Sequence, residues 1–138
     1  MSNRNSKVKI LAIAALLAAI ICSATTSFHI PVGVNGGYVH VGDAFIYMAA
    51  SILPLPYAMM VAAIGAGLAD LLSGAAVWVI PTIIIKPILV LFFTSKNEKI
   101  LCKRNVLAVL LAGFTGVMLY CLAAVSYTHL TLPTTERV

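Results

Sequence analysis

Lys86 sits in the middle of VIPTIIIKPILVLFF, with apolar neighbours on both sides for several residues. A cation well inside a membrane helix costs about 2.5–3.5 kcal/mol on insertion scales, so it requires a counter-charge, a solute group or water. Counting back by fours from Lys86 gives Thr82 and then Trp78. In a helix those three positions share one stripe, about 12 Å long at 1.5 Å per residue. An indole, a hydroxyl and an ammonium in line could grip a planar solute. The same stripe has a structural reading. Lys86 would then snorkel towards the headgroups or pair with a carboxylate, and Trp78 would belong to an interfacial aromatic belt. Both readings stay open at this point. Asp70, near the end of an apolar segment, either shapes the rim of a site or hydrogen-bonds the turn at Ser73-Gly74. Asp43 directly follows Gly42 and is expected to N-cap the next helix. His29 and His40 share a loop without the Cys or Glu that would complete a ligand set, so no metal is expected. A Gly-rich phosphate loop, an HExxH and a pair of acid–base carboxylates are all missing from the sequence. The expectation is a protein that is not an enzyme and takes no cofactor.

The segments that must hold these residues are built for lipid. Of 138 residues, 62% are hydrophobic and 9% charged, with a mean hydropathy of +1.06. A soluble domain carries roughly 25% charged residues, so water is the wrong solvent for this surface. At about 20 apolar residues per crossing there is room for four or five. The net charge of +5 is concentrated in two blocks, Arg4/Lys7/Lys9 and Lys96/Lys99/Lys103/Arg104. Flanking apolar runs, these read as topology signals that hold both blocks in the cytoplasm. A nucleic-acid binder would cluster them on a folded face among stacking aromatics, so no nucleic-acid partner is expected. Cys22, Cys102 and Cys121 lack CxxC spacing and read as small apolar residues. The run after Lys9 resembles a signal peptide, but the rest is as hydrophobic, and an uncleaved first helix is favoured.

The chain divides into five helices. Helix one covers about 8–24 and spaces Ala14/Ala18 and Ala15/Ala19 four apart, which lets another helix approach closely. Residues 25–42 hold Pro31, Gly33, Asn35, Gly36, Gly37 and Gly42 and read as an irregular outer loop. A shorter helix from Asp43 ends at Leu53-Pro54-Leu55-Pro56, since two such prolines cannot continue it. Helix three, about 57–72, carries Ala62/Ala66, Ala63/Gly67 and Gly65/Ala69 and should lie in the interior. Helix four spans about 76–93, and helix five runs from about 106 into the 120s with Ala108, Ala112 and Gly116 as a further small-residue strip. One crossing per helix puts both basic blocks on the same side. The fold class is thus an all-α, polytopic membrane bundle in the plasma membrane with a cytoplasmic N-terminus.

Residues 125–134, VSYTHLTLPT, resemble one reading frame of a transposase adapter used in preparing DNA sequencing libraries. The expectation is a transmembrane domain over 1–124 and a non-native tail over 125–138, with His129, Glu136 and Arg137 carrying no functional weight.

The spaced alanines of helix one, the outer loop NGGYVHVGD and the run IGAGLADLLSGAAVWVIPTIIIKPILVLFF together resemble the S component of energy-coupling factor vitamin transporters. Gly67, Asp70, Gly74, Trp78, Pro81 and Lys86 fall where that family places such residues, and the resemblance covers 8–124. It implies a six-helix fold, of which about five helices are present. It also implies capture of a vitamin-like small molecule at the outer face, of flavin, thiamine or pyridoxine type. The implied partners are a transmembrane coupling subunit and two ATP-binding subunits, with Ala14, Ala15, Ala18 and Ala19 as the docking surface. Delivery would follow by toppling of the whole subunit in the bilayer. On this basis Asn35, Tyr38, Trp78, Thr82 and Lys86 are the expected pocket residues, with Asp70 at its rim. The aromatic rings would stack on a heterocycle, and Lys86 would meet an anionic or carbonyl group. The rivals are a stand-alone secondary transporter or channel, disfavoured by a single embedded cation with no embedded acidic chain, and a non-transporting scaffold.

Overall fold

A computed structural model describes residues 2–31, 38–93, 96 and 99–135. Helix α1 (Ser2–Ser27) leads into a two-stranded antiparallel hairpin, β1 (His29–Pro31) and β2 (Tyr38–His40). Their register pairs His29 with His40, Ile30 with Val39 and Pro31 with Tyr38. The expected irregular loop therefore contains a short ladder, and helix α2 (Gly42–Ile52) starts two residues beyond it. The position capping α2 is Val41, with no side-chain cap bond, and Asp43 lies inside the first turn. This corrects the expected N-cap.

Leu53 is extended at φ −87°, ψ 149°, because the ring of Pro54 crowds a helical residue placed before it. Pro56 then falls in the opening turn of α3 (Leu55–Leu72), where a missing N–H costs no helical bond. At its far end α3 is closed by Gly74 at φ 78°. The Ala75 N–H donates to the Asp70 carbonyl at 2.8 Å and the Gly74 N–H to that of Leu71 at 3.3 Å. This paired closure needs a left-handed residue, and glycine adopts one without penalty. A single 3-10 turn (Ala76–Trp78) precedes α4 (Val79–Val90), and α5 (Lys103–Thr135) ends the order. Helix α5 runs on beyond the 120s. Ser126 and Thr128 hydroxyls fold back onto the carbonyls of Leu122 and Ala124, both at 2.9 Å, so polar residues are accommodated there.

Three helical stretches, Asn3–Ser27, Leu55–Leu72 and Lys103–His129, are long and apolar enough to cross a membrane. Ala76–Val90 is shorter, and α2, with 11 residues, rises only about 16 Å against a hydrocarbon core of about 30 Å. The fold is an all-α bundle of five helices, two of them short of a full crossing. The interior is filled by small side chains, Ala49, Ala58, Ala62, Ala66 and Ala112 being nearly inaccessible, while Ile80, Leu110 and Phe114 point outwards. That distribution suits a lipid surround, where close backbone approach holds helices together. Helix α3 lies between α1 and α4 and packs most extensively against both, as its small residues anticipate. A side chain at Gly65 would meet the Ala18 carbonyl oxygen at 3.0 Å, and one at Gly67 would meet Ile83 at 2.9 Å. Helix α5 rests chiefly on α4. Its first turn is tied down by Asn105, whose amide donates to Ser51 Oγ on α2 at 3.1 Å and to the Ile100 carbonyl at 2.8 Å.

Candidate functional site

Four helices bring polar side chains together towards the end of the bundle that carries the hairpin. Asp43 comes from the start of α2, Asp70 from the end of α3, Thr82 and Lys86 from α4, and Tyr120 from α5. The Trp78–Thr82–Lys86 stripe holds, and all three are buried, at 8%, 2% and 3% exposure. Thr82 donates its hydroxyl proton to the Asp70 carboxylate. The Tyr120 hydroxyl lies 3.0 Å from Thr82 Oγ1; with the threonine proton committed to the acid, Tyr120 is the donor in that contact. Lys86 donates to Asp43 in a buried ion pair, and its Nζ lies 5.2 Å from the centroid of the Tyr120 ring. At that range the ring quadrupole attracts the ammonium. The Tyr120 ring is also tilted against Trp78, 6.0 Å between centroids. Tyr120 thus touches every member of the stripe. Beyond it, Tyr127 sets its ring edge-on to Trp78 at 5.9 Å and donates to the Val77 carbonyl at 2.7 Å.

The choice between snorkelling and pairing is thereby decided. Lys86 points into the bundle and has a carboxylate partner, which is what burial of an ammonium demands. The ammonium has three donors, of which Asp43 takes one. The pair is lopsided, since the Lys86 side chain is 3% exposed and that of Asp43 35%. Chemically the cluster is a compact set of donors and acceptors beside two aromatic rings, Trp78 and Tyr120. It suits binding of a planar polar solute and contains no nucleophile–base arrangement. Among the described residues no three His, Cys, Asp or Glu side chains converge as a metal set.

A family model described as the ECF-type riboflavin transporter, S component, matches residues 5–135. The chain belongs to this family. No curated protein and no solved structure matches it. Membership accounts for the multi-pass, membrane-embedded architecture, and the family is one of transporter subunits rather than enzymes.

The residues expected to line the pocket of this S component divide by location. Trp78, Thr82, Lys86 and Asp70 converge on one cluster. Tyr38 contributes backbone to β2, and Asn35 lies outside the described residues. Two members were missed. Asp43 is 43 residues from Lys86 and Tyr120 is 38 from Thr82, so periodicity within one helix carries no trace of either. The apolar surroundings of Lys86 signalled only that it requires a counter-charge, a solute group or water. The supposed absence of an embedded acid is corrected by Asp43 and Asp70. On α1, Ala14 is buried and the Ala18 carbonyl faces Gly65, whereas Ala15 and Ala19 are exposed.

Proposed function

We propose that this S component captures a flavin-type vitamin at the hairpin end and passes it inwards by docking to a coupling subunit powered by two ATP-binding subunits. The observation that carries the reading is the convergence of the buried Trp78, Thr82, Lys86 and Asp70 with the half-buried Tyr120 and Asp43 in a member of the riboflavin S-component family. The indole and phenol rings offer stacking surfaces to a tricyclic heterocycle. The remaining Lys86 donors suit its carbonyl and ring-nitrogen acceptors, while the Tyr120 oxygen, whose proton goes to Thr82, can accept from its imide N–H or a side-chain hydroxyl. Asn35 and Tyr38 would also contact the solute, and Asp70 orders Thr82 by accepting its hydroxyl proton. The two basic blocks support a cytoplasmic N-terminus by the positive-inside rule. Ala15 and Ala19 offer the exposed part of the docking surface, with Ala14 and Ala18 supporting it from within.

Titrating purified chain in detergent with riboflavin tests the reading, since Trp78 is the only tryptophan and its emission reports the site directly. Saturable quenching is expected, weakened at least about tenfold by Lys86→Ala through loss of a charge-assisted hydrogen bond. Absent quenching, or unchanged affinity in that variant, refutes it. Asp43 and Asp70 also favour a second reading, ion-coupled transport by the chain alone. Flavin accumulation in proteoliposomes lacking ATP-binding subunits would establish that instead.

A further inference from the structure

A lone lysine in an apolar helix invites the view that the site attracts anions, and the ion pair reverses that view. We infer that Asp43 sets the charge selectivity of the site: by neutralising Lys86 it makes the pocket accept uncharged flavin and reject phosphorylated flavin. The inference rests on the flavin reading above and adds to it a specificity-determining residue. Among the described residues, the cluster holds one cation, Lys86, and two carboxylates, Asp43 and Asp70. Their formal sum is negative. The Lys86 charge is committed to Asp43, and Thr82 is committed to Asp70, so an arriving phosphate meets acids whose counter-groups are already engaged. A phosphate ester carries about −1.5 to −2 charges at neutral pH. Like unit charges about 8 Å apart, at an effective dielectric near 20, disfavour each other by about thirtyfold. Salt screens the buried Asp70 carboxylate little and the 35%-exposed Asp43 carboxylate in part, so the preference should narrow at high ionic strength. The uncharged vitamin carries a hydroxyl where its ester carries the phosphate and escapes this penalty.

The test compares riboflavin and flavin mononucleotide on the purified full chain by Trp78 quenching. Wild type should prefer riboflavin by at least about tenfold. Asp43→Asn, which leaves the Lys86 charge without its carboxylate, should shift the ratio towards the mononucleotide by about thirtyfold. The double variant Asp43→Asn with Lys86→Gln should lose that shift, which a merely structural role for Asp43 would not produce. Lys86→Gln alone should widen the preference for riboflavin, and it serves if Asp43→Asn does not fold. Equal affinity of wild type for the two flavins, an unchanged ratio in Asp43→Asn, or a narrowed one in Lys86→Gln overturns the inference. Wild type that binds neither flavin overturns the functional reading itself.

Discussion

Removing one half of the Lys86–Asp43 pair should not cost the same as removing the other. Breaking a buried ion pair from one side typically costs about 3–5 kcal/mol, because a charge is left behind without compensation. Asp43→Asn leaves an ammonium at 3% exposure. The Tyr120 ring beneath it returns about 1 kcal/mol, so the expected loss is about 2–4 kcal/mol. Lys86→Met leaves the Asp43 carboxylate, which is 35% exposed at the hairpin end and keeps water. Methionine fills the lysine stem's volume, and the pair's own worth is reduced by screening on the exposed side, so the loss is about 1 kcal/mol or less. Thermal unfolding in detergent, followed through Trp78 emission, ranks the two. Asp43→Asn should unfold well below Lys86→Met, and the double variant should lie near the latter. A Lys86→Met protein less stable than Asp43→Asn would refute the reasoning, since it would mean that the carboxylate, not the ammonium, is the group that depends on the pair.

Gly65→Val should destabilise by about 1–3 kcal/mol in the same assay, because its Cβ would lie 3.0 Å from the immovable Ala18 carbonyl and 3.1 Å from Ile21. Gly113→Ala, with nothing within 4 Å of the new methyl, should instead gain up to about 1 kcal/mol from helix propensity. Tyr120→Phe removes the hydroxyl bonded to Thr82 but keeps the ring near Lys86, so it should cost about 1 kcal/mol and lower riboflavin affinity less than Tyr120→Ala. Ala15→Leu combined with Ala19→Leu should reduce co-purification of the coupling subunit while leaving the unfolding temperature within a degree or two, whereas Ala14→Leu, at a buried position, should lower it.

What could be foreseen from the residues follows the range over which each force acts. The Trp78–Thr82–Lys86 stripe obeys helical periodicity, and the 3-10 turn at Trp78 leaves its side chain against the same neighbour, Tyr120. The α2–α3 break was legible because proline acts on its own residue and the one before. Interior placement of α3 was legible from small residues at spacings of four. The Asp43 partnership was not, since a Gly-Asp pair at a helix start suggests a local cap. Val41 occupies the cap position instead, and the carboxylate is used across the bundle. Tyr120 reads as one more half-apolar residue until α5 is laid on α4. The span of α2 was legible, expected from Asp43 to the proline break and observed over Gly42–Ile52, whereas nothing local says that a strand pair will take the residues before it.

The bundle is mechanically uneven, and α5 is the part with leverage. Glycine contacts press α1, α3 and α4 into one stiff slab, while α5 leans on that slab along one side and is pinned near its start at Asn105. From that pivot to Tyr120 is an arm of about 22 Å, so a tilt of about five degrees sweeps the phenol ring through about 2 Å. A movement of that size separates the ring from the ammonium and the indole together while leaving the slab unchanged. What holds that arm against the slab is the pair of phenol bonds, Tyr120 to Thr82 and Tyr127 to the Val77 carbonyl.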